Sequence, residues 1–292
     1  MKKLLHTTFI APLLWATMVS TSQAESPNYN LAAQGMYNST DYDDNTTLTI
    51  MAVGANYFLA PVNPNKGPLN EASFLDRQTN VLGQIGTLSV DFDGVTLDGN
   101  LFDIGFEFAD QTQPFTVGFE YISGEATKTL SGVKGKITLD TTTVTLSYYL
   151  DAHSAIGFQF GNTTTEIKAN GVSQGKFDAD TIGVAYKNVM PIDGSRYLNV
   201  VAGLDHSSDN DNNSNIELSA RGDYYLDINT GLFGGLAINS GDDPSSEGTT
   251  IRLGAHSFIS PTVKLSFEYD SFMAKESNND NNTIDIEVEA RF

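Results

Sequence analysis

Residues 262–270 read TVKLSFEYD and residues 283–292 read TIDIEVEARF. In the first, Val263, Leu265, Phe267 and Tyr269 take one parity, and Lys264, Ser266, Glu268 and Asp270 take the other. In the second, Ile284, Ile286, Val288, Ala290 and Phe292 alternate with Asp285, Glu287, Glu289 and Arg291. Successive side chains of a β-strand point to opposite faces, so each stretch reads as a strand with one oily and one wet side. Between Ile216 and Asp227 the pattern recurs, with Ile216, Leu218, Ala220, Tyr224 and Leu226 against Glu217, Ser219, Arg221, Asp223 and Tyr225.

Working outward from these stretches, fourteen such segments can be placed. They lie near 28–39, 46–59, 79–91, 96–109, 114–126, 136–150, 154–168, 177–190, 196–207, 214–227, 230–240, 248–259, 262–275 and 282–292. The pattern is loosest around 79–109, which leaves twelve to sixteen strands open. No amphipathic helix longer than two turns stands out. Strands of about ten residues are long for a soluble sheet but suit a tilted transmembrane strand. Connections after the even-numbered segments are mostly short; those after the odd-numbered ones are mostly longer and polar, such as 207–213 and 241–248. A secreted β-sandwich would also alternate, but it needs short strands and a dry core, whereas charges recur here on the polar faces. The expected fold is all-β: a transmembrane antiparallel up-and-down β-barrel of about 14 strands, closed because hydrocarbon offers peptide groups no other partner. A barrel of that size is expected to leave a modest aqueous lumen.

The N-terminus reads as a separate object. Lys2 and Lys3 precede an apolar stretch from Leu4 to Val19, and Ser22-Gln23-Ala24 ends it with small residues. That is the form of a secretory signal peptide, 1–24, cleaved after Ala24 and followed by one barrel domain, 25–292. The whole chain of 292 residues has 36 acids, 16 Lys+Arg, no Cys and a net charge of −20. Residues 1–24 carry two of the lysines and no acid, so 25–292 is more acidic still. This balance argues against nucleic acid as a partner, and the lack of Cys removes disulfides and thiolate metal sites. Beyond the N-terminus no run of about 18 apolar residues offers a helical membrane span.

The segment Tyr57-Phe58-Leu59-Ala60-Pro61-Val62, continuing through Gly67-Pro68-Leu69-Asn70-Glu71-Ala72-Ser73-Phe74-Leu75, resembles the putative general bacterial porin family. The resemblance implies a β-barrel pore in the outer membrane of a Gram-negative bacterium and brings no catalytic residues with it. The expected partners are outer-membrane lipid and lipopolysaccharide, small solutes, and the barrel-assembly machinery through the terminal strand ending in Phe292. A monomer and a homotrimer both remain open.

If the apolar faces meet lipid, the other faces line the lumen. They carry Asp103, Glu107, Glu120, Glu217, Arg221, Asp223, Arg252, His256, Lys264, Glu268, Asp270, Asp285, Glu287, Glu289 and Arg291. Ten acids against four firm bases point to a passive channel for small hydrophilic solutes and ions that prefers cations. The plainer alternative is a polar wall of cross-strand ion pairs. Asp41, Asp43, Asp44, Asp91, Asp93, Asp98, Asp205, Asp209, Asp211, Asp242, Asp243, Glu247, Glu276 and Asp280 are expected in outer loops. Lys128, Lys134, Lys136, Lys168 and Lys176 are expected in two others. Residues 61–78 form the longest connection, on the side of the termini. Pro68 suits the first position of a short helix, and the segment either packs into the mouth or is an ordinary loop.

Tyr57, Phe106, Phe119, Tyr121, Tyr148, Phe158, Tyr186, Tyr224 and Phe267 are the candidates for the interfacial girdles. Tyr149 and Tyr225 point inward, where they could stack a sugar ring. Catalysis finds little support. Asp205 and His206 are adjacent, so a strand turns them to opposite faces, and their strand stands almost opposite the one carrying Asp91 and Asp93, too far for proton transfer. Asp209–Asn213 begins like a calcium loop but lacks Gly and Glu at the sixth and twelfth positions. No cofactor or metal is expected, and the protein reads as no enzyme. The main alternative is a closed structural or adhesive barrel binding partners through acidic loops, with a barrel hydrolase behind it.

Overall fold

The computed structural model describes residues 27–42, 45–92, 95–130, 133–210, 213–242, 247–275 and 280–292. The expected leader, 1–24, lies outside the described residues. Fourteen strands follow in order: β1 (Tyr29–Tyr42), β2 (Thr46–Val62), β3 (Asn80–Phe92), β4 (Val95–Ala109), β5 (Phe115–Leu130), β6 (Val133–Tyr149) and β7 (Ser154–Ala169). The ring continues with β8 (Val172–Asp193), β9 (Arg196–Asp209), β10 (Ser214–Tyr225), β11 (Thr230–Gly241), β12 (Gly248–Ser260), β13 (Val263–Ala274) and β14 (Asn281–Arg291). Each pairs antiparallel with its sequence neighbours, and β1 meets β14 from Ala32↔Arg291 to Tyr42↔Asn281, closing the barrel.

Closure and alternation together assign every side chain a face. Met51, Val53, Ile85, Phe102, Leu218, Leu253 and Ile286 are exposed on the outside. Gln84, Asp103, Thr143, Asp223, Lys264 and Glu289 are buried. An oily surface around a charged interior inverts a water-soluble protein and suits a sheet standing in lipid. The expected girdle residues are on the lipid side: Tyr57, Phe106, Phe119, Tyr148, Phe158, Tyr186 and Phe267 are all exposed. Tyr121 donates its hydroxyl to Asp140 Oδ1 at 2.8 Å, and Tyr224 accepts from Arg196 at 3.3 Å.

The turns beside the termini are built on aspartates. Asp110 accepts from the Thr112 amide at 2.8 Å, Asp151 from the His153 and Ser154 amides at 2.7 and 2.8 Å, and Asp227 from the Asn229 and Thr230 amides at 2.7 and 2.8 Å. These side chains fold the chain back by imitating a backbone turn. The hydrogen bonds from Thr112, and from His153 and Ser154, hold the carboxyls of Asp110 and Asp151 below the usual range.

At the other end the expectation of long loops is corrected. The ladder runs on past the apolar belt, and β8 reaches 22 residues. Outward polar pairs continue the strands there: Asn162 with Asp180 at 2.9 Å and Thr164 with Asp178 at 2.6 Å. Asp41, Asp91, Asp98, Asp205 and Asp209 therefore sit in strands, as do Lys128, Lys134, Lys136, Lys168 and Lys176. Asp43, Asp44, Asp93, Asp211, Asp243 and Glu276 lie outside the described residues.

Ile104 occupies the apolar outward run Phe102–Phe108 of β4. Ile104→Arg is expected to cost about 2–4 kcal/mol if it stands near the bilayer midplane. Reversible urea unfolding from lipid vesicles reads that cost.

Candidate functional site

The site is the barrel interior, and its floor is the connection from β2 to β3. Asn63 caps a 3₁₀ turn, Pro64–Lys66, by accepting from the Asn65 amide at 3.0 Å. A short helix, α1 (Ala72–Asp76), follows. Pro64, not Pro68, takes the early helical position, and α1 begins only at Ala72. Leu69 and Ala72 are fully buried, and Phe74 and Leu75 nearly so. Burying a large apolar side chain is worth about 1.5–3 kcal/mol. The segment therefore packs inside the mouth.

Its reach shows how completely it crosses. The Leu69 amide donates to Ile228 O, in the β10–β11 turn, at 3.2 Å. Glu71 is 1% exposed and meets three strands of the far wall. Its carboxylate pairs with Lys187 of β8 at 2.6 Å and accepts from Tyr225 of β10 at 2.6 Å and Asn199 of β9 at 3.2 Å. β9 stands opposite β2 in the ring of fourteen. Phe74 lies 5.2 Å from the Tyr149 ring, its carbonyl accepts from the Tyr149 hydroxyl at 3.2 Å, and Lys187 Nζ lies 4.5 Å over its own ring. Asp76 accepts from the Asn63 amide at 2.9 Å and pairs with Lys66, closing the segment on itself. Tyr149 and Tyr225 point inward as expected, but they hold this segment and offer no free platform for a sugar.

Above that floor the interior has two unlike walls. On β10–β14 four cations bridge five of the seven inward acids. Arg221 bridges Asp223 at 2.9 Å and Glu268 at 3.3 Å, and Arg252 bridges Glu268 at 2.9 Å and Asp270 at 3.0 Å. Lys264, 1% exposed, bridges Glu287 at 2.8 Å and Glu289 at 3.1 Å. Arg291 pairs with Glu289 and lies over the Tyr29 and Phe258 rings at 4.4 and 5.1 Å. His256 is packed between Tyr225 and Phe233, over Gly231, where an added Cβ would come within 2.3 Å of Nε2. Asp285 accepts from Asn38 at 3.3 Å, and Glu217 stands across from Asp205.

The wall of β3–β8 is lined by small residues. Gly105, Gly118, Gly157, Gly183, Thr143 and Ser147 leave a cavity of about 150 Å³ with Ser73, Phe74 and Tyr149 beneath it. Glu107 and Glu120 line it, each paired across strands with a glycine, Gly118 and Gly105. Asp103 sits one inward position above Gly105, 4% exposed. Among the described residues Asp103, Glu107 and Glu120 have no ion-pair partner.

The structure thus sorts the fifteen residues picked from the sequence. Nine, Arg221, Asp223, Arg252, Lys264, Glu268, Asp270, Glu287, Glu289 and Arg291, knit into ion-pair chains. Asp103, Glu107 and Glu120 form a separate acidic patch, while Glu217, His256 and Asp285 stand outside both groups. Sequence reasoning passed over Glu71, Asn199 and Lys187. Lys187 carried a signal, since Ile182, Val184 and Tyr186 mark the outward parity of β8 and leave it inward. Asp205 and His206 do face opposite ways: Asp205 accepts from the inward Gln159 at 2.7 Å, while His206 pairs with the outward Ile182 and Ile216.

Glu71→Gln leaves the buried Lys187 uncompensated, a loss of about 3–5 kcal/mol for a buried pair. The variant is expected to show larger, flickering conductance steps and faster tryptic cleavage at Lys66 and Arg77. Deleting Pro64–Asn70 should raise conductance further. Unchanged steps in both would contradict a segment that fills the mouth.

Solved structures with a similar shape are outer-membrane proteins. The outer membrane protein Omp33 of Acinetobacter baumannii superposes with a TM-score of 0.59 at 15% identity, over 91% of this chain and 100% of that one. The CymD monoaromatic hydrocarbon channel gives 0.56 at 9% identity, over 91% and 89%. An outer membrane channel from Pseudomonas putida F1 gives 0.52 at 14% identity, over 93% and 100%. At these identities the likeness concerns the fold. No curated protein matches the sequence significantly. The sequence profile described as putative general bacterial porin matches residues 1–292, so the chain belongs to that family and is a β-barrel porin of the bacterial outer membrane.

Proposed function

We propose that the barrel is a passive diffusion channel for small hydrophilic solutes and ions, with a preference for cations. One observation carries the preference. Five of the seven inward acids of the β10–β14 wall are bridged to Arg and Lys, whereas among the described residues Asp103, Glu107 and Glu120 have no such partner, and Glu107 and Glu120 line the open cavity. A path along the small-residue wall therefore sees net negative charge, which concentrates cations and repels anions. The work needs only size exclusion and the field of the wall, so we read the protein as no enzyme. We further propose that residues 1–24 are a cleaved leader and that 25–292 form one domain. The belt of exposed Phe, Tyr and aliphatic side chains would meet lipid and lipopolysaccharide, and the last strand with Phe292 would be what the assembly machinery reads.

The buried segment below the cavity also favours a second reading, a closed barrel with a structural or adhesive role. Conductance separates the two, since a closed barrel gives no steps even when demonstrably folded.

At about 4 Å in water a unit charge attracts a cation by about 1 kcal/mol, which is about a fivefold preference. Glu107→Gln with Glu120→Gln removes two such charges and their repulsion of anions, so it is expected to lower the cation-to-anion permeability ratio by at least about that factor. Asp180→Asn, on the outer surface, should leave the ratio unchanged. A ratio untouched by the double substitution would contradict the acidic path.

A further inference from the structure

The small-residue wall is not uniformly polar. Toward the end away from the termini, inward positions on β1–β5 are apolar: Met36, Leu48, Ile50, Leu88, Leu101 and Ile122 form one packed cluster. Below it come Asp103, then Glu120 and Glu107, and then the cavity with Phe58, Leu82, Phe74 and Tyr149 in its lining. A passage for hydrated inorganic ions alone gains nothing from an oily approach or an oily chamber. Stripping water from a small ion costs far more than one carboxylate returns.

The chamber is also the right size for one ring. A cavity of about 150 Å³ holds a benzene-sized molecule, and Phe58, Leu82, Phe74 and Tyr149 give this one an apolar part beside polar groups that include Gln159 and Lys187. The carboxylates ask for a cation. Glu107 and Glu120 face the space with no ion-pair partner among the described residues, Lys187 in the same lining being held by Glu71, and Asp103, 4% exposed, has an Oδ1 with no hydrogen-bond partner among them. Buried carboxylates left unpaired are costly, and a charged ligand group relieves that cost.

We infer that the cavity is a binding site for a small organic cation with an apolar body, an aryl- or arylalkyl-ammonium ion, on its way through the barrel. The ring takes the space between Leu82, Phe58 and Phe74, and the ammonium faces Glu107 and Glu120. The inference rests on the cation-preferring reading above and narrows it to a solute class.

Equilibrium binding tests it without requiring the mouth to open. Benzylammonium chloride is titrated into the full barrel in detergent and followed by ligand-observed NMR, with benzyl alcohol, benzenesulfonate and ethylammonium as matched probes. Benzylammonium should bind saturably and more tightly than all three. Glu107→Gln with Glu120→Gln should weaken it about tenfold or more, the loss of one charge-assisted hydrogen bond. Leu82→Asn should weaken benzylammonium while leaving ethylammonium unchanged. Far-ultraviolet circular dichroism and heat-modified gel mobility confirm that each variant is folded. Equal binding of benzyl alcohol and benzylammonium, or no effect of the Gln pair in folded protein, would overturn the site. If the reversal potential in KCl shows cation preference but benzylammonium does not bind, this inference alone fails. If benzylammonium binds and the Gln pair abolishes it while KCl shows no preference, the site stands and the broader reading falls.

Discussion

A peptide N–H or C=O in hydrocarbon has no water to turn to, so each must find another peptide group. That constraint organises the molecule. It forces β1 onto β14, removes every sheet edge, and fixes the side-chain parity of all fourteen strands at once. Once parity is fixed, lipid claims one face, and every charged side chain within the apolar belt must be accommodated on the other.

The interior accommodates them in two ways. On β10–β14, Arg221, Arg252, Lys264 and Arg291 each sit between carboxylates or against aromatic rings, so the wall is dense and five of its seven inward acids are bridged. On β3–β8, glycines, serines and threonines leave room, and among the described residues Asp103, Glu107 and Glu120 have no ion-pair partner. The segment between β2 and β3 is anchored against the far wall because Glu71 needs the partners that Lys187, Asn199 and Tyr225 supply there. A lone buried carboxylate would be expensive; three partners on three strands fix where it goes.

The strand count and the faces were legible in the sequence because a period of two survives in any stretch such as Thr283–Phe292. Which acids are neutralised was not legible. Pairing depends on register between strands, and Glu268 meets Arg221 across two intervening strands, a contact that alternation within one strand cannot encode. The destination of Glu71 was hidden for the same reason: its partners lie more than a hundred residues away along the chain. The outer loops were misread because polarity has two causes. Asp41, Lys134 and Lys176 belong to strands that outrun the apolar belt, and by composition such residues look the same as a loop.

The central claim is an open lumen whose effective charge is set by its unbridged acids, Glu107 and Glu120 beside the cavity foremost. The most direct measurement is the zero-current potential of the wild-type protein in a planar bilayer across a KCl gradient, with single-channel steps recorded on the same membrane. The account predicts discrete steps and a potential on the side of K⁺. Steps with a potential at or beyond zero toward Cl⁻, or no steps from demonstrably folded barrels, would contradict it.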